Sequence, residues 1–151
     1  IQIGVESGYN EGLKKIGKGI TTEEVVMCAQ KLRQHRISHK AVMSFIIGLP
    51  WEDSGMAQKT LRFAADLTER YGVQVNLAWW VPMPSRLWQN RGNYGISLTD
   101  DIFDNPKCFL HTEYFYQLRP RLTSADYELT TEILNVYKDL SRPLTAAHML
   151  V

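Results

Sequence analysis

The sequence predicts an α/β chain built on parallel strands, and three observations carry that prediction. Val42 to Ile47 is a short, nearly continuous apolar run that stops at Gly48-Leu49-Pro50, which reads as a strand buried on both faces. Two further strand-like segments flank it, each ending in turn residues. Between them lie stretches with helical spacing, and strands alternating with helices imply parallel pairing through right-handed crossovers. In such folds ligands sit beyond the carboxyl ends of the strands, so the loop from Gly48 to Asp53 is expected to carry function.

The elements follow in order. Ile1 to Ser7 alternates apolar and other residues and runs into Gly8-Tyr9-Asn10-Glu11-Gly12, as a strand feeding a loop should. Leu13 to Ile16 adds a short helical turn that Gly17-Lys18-Gly19 breaks. Thr21 and Glu24 form a capping box, and Val25, Ala29 and Leu32 make the apolar stripe of a helix of about 15 residues. Arg33, His35 and Arg36 close it where the helix dipole favours cations. After the central strand, Asp53 or Ser54 caps a helix with Met56, Thr60, Phe63, Ala64, Leu67 and Tyr71 at helical spacing, ended by Gly72. Val73 to Val81 is the third strand, and Pro82-Met83-Pro84 terminates it. From Arg86 to Leu122 the periodicity lapses. Scattered aromatics there argue for a folded covering segment, with a short strand near Tyr114. Thr123 and Asp126 reopen a helix whose buried face is Tyr127, Ile133, Leu134, Tyr137 and Leu140, stopped by Arg142-Pro143.

The totals exclude several classes. With 151 residues the chain can bury a proper core, and a formal charge of +1 gives no field that argues for nucleic acid or a membrane surface. Cys28 and Cys108 form no CxxC pair, which fits a reducing compartment without zinc site or disulfide framework. His35, His39, His111 and His148 show no HxH or HxxxH spacing. No apolar run reaches the roughly 20 residues of a membrane span, so a cytoplasmic protein is expected.

Three strand ends should converge on one rim: Glu6-Ser7, Gly48 to Glu52, and Pro82 to Arg86. Glu6 suits accepting hydrogen bonds from ligand hydroxyls, and equally suits a structural ion pair with Lys14, Lys15 or Lys18. The Gly48-Leu49-Pro50 turn can offer main-chain groups to a flat heterocycle with Ile46 and Leu49 against its face, or be a plain strand-to-helix turn. Glu52 reads as a residue stabilising the first turn of the next helix.

Gly4-Val5-Glu6-Ser7-Gly8, then Leu13-x-x-Ile16-x-Lys18, Thr21 with Glu24, and Phe45-Ile46-Ile47-Gly48-Leu49-Pro50-x-Glu52 in that order resemble the second half of a radical S-adenosylmethionine core domain. The similar group often carries an N-terminal cobalamin-binding domain. Pro82-x-Pro84-Ser85-x-Leu87 is similar to the Pro-x-Pro-Gly-Thr-x-Leu of many relatives. The resemblance covers about residues 1 to 90 and implies strands four to six of a partial (β/α)6 TIM-like barrel, with residues 91–151 a covering segment and helix. It implies Glu6 and Ser7 at the cofactor's ribose, Lys18 near its carboxylate, and Ile46, Gly48, Leu49 and Pro50 at the adenine. S-adenosylmethionine and a [4Fe-4S] cluster are the implied cofactors, with cobalamin a further one in that group, and the partner is a small-molecule substrate. In such enzymes a reduced cluster cleaves the cofactor to a 5′-deoxyadenosyl radical, which abstracts hydrogen or serves methyl transfer. Trp51 and Ser44 stand where relatives commonly have Gly. The Cys-x-x-x-Cys-x-x-Cys cluster motif is absent, which the resemblance places in an N-terminal half ahead of Ile1, so this piece alone should be inactive. The competing expectation is a small non-catalytic α/β module that holds a nucleotide or phosphate on its strand-end loops.

Overall fold

A computed structural model describes residues 1–104, 112–126 and 128. Three strands, β1 (Gln2–Glu6), β2 (Val42–Ile47) and β3 (Gln74–Trp79), form a parallel sheet in the order β1-β2-β3. Helices α1 (Asn10–Ile16) and α2 (Thr22–Gln34) connect the first two strands, and α3 (Ser54–Tyr71) connects the second pair. The chain is therefore a mixed α/β protein on a small parallel sheet. Among the described residues β1 pairs only with β2, which leaves its other edge unpaired. No helix of the described residues is long and apolar enough to cross a membrane.

The helix boundaries follow from local chemistry. The Thr21 hydroxyl accepts the Glu24 N–H at 3.3 Å while the Glu24 carboxylate accepts the Thr21 N–H at 2.8 Å, a reciprocal cap for α2. Asp53 caps α3 by accepting the Met56 N–H at 2.9 Å, and Gly72 ends that helix in the left-handed region at φ +69°. Ala57, Leu61, Ala64 and Leu67 of α3 and Val25, Ala29 and Leu32 of α2 pack on Val5, Met43, Phe45, Ile47, Val75 and Leu77 of the sheet, which makes the main apolar core.

The sheet's second face corrects the reading of the central strand. Burial along β2 alternates, with Val42, Ser44 and Ile46 only half-buried. At the carboxyl end of that face Ile46 packs against the second apolar cluster. Across the face Gly4, Ser44 and Asn76 stand in register, and Asn76 and Ala78 are exposed. An apolar run by itself does not reveal whether one layer or two cover a strand.

The segment after β3 folds over the carboxyl ends of the strands. Helix α4 (Arg86–Gln89), single helical turns at Arg91–Tyr94 and Asp100–Phe103, and helix α5 (Thr112–Leu118) build it. Tyr114 thus lies in a helix, where a strand was expected; its neighbour Phe115 packs edge-on against Trp79 and Tyr116 packs edge-on against Phe115, rather than alternating across a sheet. Arg91 organises the middle of the segment: its guanidinium lies 4.4 Å from the Trp88 ring and 3.2 Å from the Asp100 carboxylate. Leu49, Trp51, Trp80, Trp88, Ile96, Ile102 and Leu118 form a second apolar cluster that joins the covering segment to the loop after β2. Thr123 and Asp126 cap the next helical turn reciprocally. The remainder of that expected helix, with Cys108, His111 and His148, lies outside the described residues.

Candidate functional site at the carboxyl rim

Parallel pairing brings the ends of the three strands to one rim. Glu6 stands opposite Phe45, and Gly48 follows the last residue of β2, so Glu6 and Gly48 end neighbouring strands on the same side. The end of β1 is irregular: Gly4 faces Ser44 and Glu6 faces Phe45, so Val5 is an extra residue and the strand bulges. Glu6 leaves that bulge with φ +77°, left-handed backbone that costs a non-glycine residue about 1–2 kcal/mol.

The bulge turns the Glu6 carboxylate back over the open face of the sheet. A Cβ at Gly4 would lie 2.5 Å from Glu6 Oε1 and 3.2 Å from Lys18 Nζ, so the glycine makes the space both groups use. Lys18 reaches there from the loop between α1 and α2, where Gly17 and Gly19 flank it with φ +76° and +69°. Its ammonium pairs with Glu6 at 3.3 Å, with the side chains 31% and 23% exposed. Both charges remain accessible from solvent. Of the two roles open to Glu6 the structure displays the ion pair, with Lys18 rather than Lys14 or Lys15.

The other candidates lie deeper. Ser7 is fully buried, with its hydroxyl against Gly12 of α1 and no hydrogen-bond partner among the described residues. Ile46 is half-buried on the open face beside the second apolar cluster. Leu49 and Pro50 point inward, Leu49 as part of that cluster. Gly48 adopts φ +74°, and a Cβ there would fall 2.6 Å from Arg119 Nε and 2.8 Å from Trp79 Cε3. Arg119 lies against the Trp79 and Phe115 rings and donates to the Trp80 carbonyl. The close approach that a glycine permits at this position is made by an arginine of the covering segment.

Glu52 has a role that its place before a helix did not announce. It is fully buried, and its Oε2 accepts the N–H groups of Gly48 at 2.8 Å and Leu49 at 3.1 Å. The Tyr9 hydroxyl donates to Oε1 at 3.1 Å and accepts the Trp51 Nε1–H at 3.1 Å. The amides of the Gly48 turn are thereby directed into the protein. Trp51, where a glycine was the expected residue, inserts its indole among the second cluster, 5.5 Å from the Tyr94 ring. The only prior hint of this network was an acidic residue four positions past Gly48; its partner Tyr9 is 43 residues away.

Burial pushes the Glu52 carboxyl up to about 7 against the three donors that favour its charge, and burial with the nearby Glu52 charge raises the Tyr9 hydroxyl. A carboxyl raised on folding stabilises the protein fully below its unfolded value near 4.5 and loses that contribution as pH climbs to about 7. We expect wild-type stability, relative to Glu52→Gln, to fall by roughly 3 kcal/mol between pH 4.5 and 7 and to stay level above. Urea unfolding across that range checks it; parallel curves for the two proteins would show that Glu52 does not titrate there.

Among the described residues no group of three or more His, Cys, Asp or Glu side chains could hold a metal ion. Cys28 is half-buried on α2, away from the rim. No family model matches the chain, and no curated protein matches it.

Proposed function

We propose that this chain is the strand-four-to-six portion of a radical S-adenosylmethionine barrel, and that its rim holds the sugar and amino-acid ends of the cofactor. The observation that carries the reading is Glu6: a carboxylate in strained left-handed backbone, laid over Gly4 on an open sheet face beside an accessible ammonium. Strain of this kind on a non-glycine residue concentrates at ligand sites. The order β1-β2-β3 suits consecutive strands of a barrel, and the small and polar row Gly4, Ser44 and Asn76 suits an interior face that a substrate shares.

The residues fit the cofactor in part. Glu6 can accept from two ribose hydroxyls, Lys18 can meet a carboxylate, and Ile46 offers an apolar surface to the base. The main chain at Ser7 and Gly48 borders the same rim, while the Ser7 hydroxyl and the inward Leu49 and Pro50 shape it from behind. When bound beside a reduced [4Fe-4S] cluster, whose ligands the proposal assigns to another part of the protein, S-adenosylmethionine supplies radical chemistry; cobalamin would serve the methyl-transferring variants. The aromatic segment around Tyr94 and Phe115 walls the substrate side. A phosphate-binding module is less well supported, because the amides of Gly48 and Leu49 that would cradle an anion donate to Glu52.

Glu6→Gly separates binding from folding. Glycine relieves the left-handed backbone, so stability should hold or rise by about 1 kcal/mol, the half-exposed pair with Lys18 offsetting little. Affinity for S-adenosylmethionine in the full-length protein should drop about tenfold or more, as expected when charge-assisted bonds are lost. Calorimetric titration is the measurement, and undiminished affinity would sink the proposal.

A further inference from the structure

The loops after β1 and β2 are joined by a buried relay of Tyr9, Trp51 and Glu52 side chains that reaches the Gly48 and Leu49 amides. Tyr9 belongs to the first loop, and Trp51 and Glu52 to the second. Through one carboxylate, Tyr9 is connected to the amides of Gly48 and Leu49. The first loop is further seated by Gly8, whose N–H donates to Thr60 Oγ1 of α3 at 3.0 Å, and by the Tyr9 ring, which would lie 2.8 Å from a Cβ at Gly12. The charged groups around the relay are Asp53 next to Glu52, Lys15 5.5 Å from the Trp51 ring and Lys59 5.9 Å from the Tyr9 ring.

We infer that Tyr9 and Glu52 are positioning residues that set the spacing between Glu6 and Gly48, so that the two rim loops act on a nucleoside ligand as one unit. The inference rests on the reading of this rim as an S-adenosylmethionine site. Glu6 lies three residues before Tyr9 and Gly48 four before Glu52, so each ligand-side group is tied to the relay by a few backbone bonds. Without the relay the loops remain attached to separate strands, and their tips move independently.

Hydrogen exchange on the intact protein tests the coupling without any ligand. Tyr9→Phe keeps the ring and removes only the hydroxyl. Although Tyr9 bonds to neither amide, exchange at Gly48 and Leu49 should speed up about tenfold in this variant, while Ala29 and Leu32 of α2 keep their rates. Unchanged rates at Gly48 and Leu49 overturn the inference, as does an equal rise at α2, which marks general destabilisation. Titration with S-adenosylhomocysteine between roughly pH 5.5 and 8.5 then reads the consequence for binding. Wild-type affinity should change through about pH 7, Glu52→Gln should flatten that profile, and Tyr9→Phe should weaken binding about tenfold. A wild type that fails to bind overturns the cofactor reading and leaves hydrogen exchange to decide the coupling. Binding by the wild type that Tyr9→Phe leaves unaltered overturns the inference alone.

Discussion

Glu52→Ala is expected to cost about 3–5 kcal/mol of folding stability at pH 5, the largest loss we anticipate for a single side chain here. The Gly48 and Leu49 amides lose their acceptor and the Tyr9 hydroxyl loses its partner at once. The truncation also opens a cavity where a fully buried side chain stood. Glu52→Gln should be far milder, since its carbonyl oxygen still accepts both amides; the mismatch is confined to Tyr9, which already accepts from Trp51. Urea unfolding of the two variants at one pH gives the comparison. Similar losses for Ala and Gln would mean that the amides find water instead, and the carboxylate would then be a minor anchor.

Gly48→Ala should lower stability by about 2–4 kcal/mol through two additive causes. Its φ of +74° is left-handed, and the added methyl would meet the Arg119 side chain at 2.6 Å and Trp79 at 2.8 Å. The steric part is separable. In a double-mutant cycle with Arg119→Ala, the cost of the methyl should shrink by about 1 kcal/mol or more, while the backbone part persists. A coupling energy near zero would show that Arg119 does not limit the space above Gly48. The same cycle bears on the proposed function: a ligand base that approaches Gly48 must do so beside this guanidinium.

Features whose partners are close in sequence were legible from the start. The Thr21 and Glu24 cap, the Asp53 cap and the Gly72 stop each depend on groups within four residues, and each stands where the spacing puts it. The three parallel strands were legible because their turn residues are strong. Features set by distant partners were not. Nothing near Glu52 announces Tyr9, and nothing near Gly48 announces Arg119. The left-handed Glu6 arises from a bulge that only pairing with β2 defines, so no dipeptide rule could find it. Ser44 was the one polar residue in the central run, and it marks the half-buried face; the apolar majority around it suggested a full second layer.

The strand order has a consequence for how the chain is made. Gln2 meets Val42, and Val42 meets Gln74, so the two ladders close loops of similar length, and their entropic costs differ by only about 0.2 kcal/mol. Neither pairing must wait for the other. A polypeptide emerging from the ribosome can zip β1 to β2 as soon as Ile47 is free, and add β3 afterwards to a template already in place.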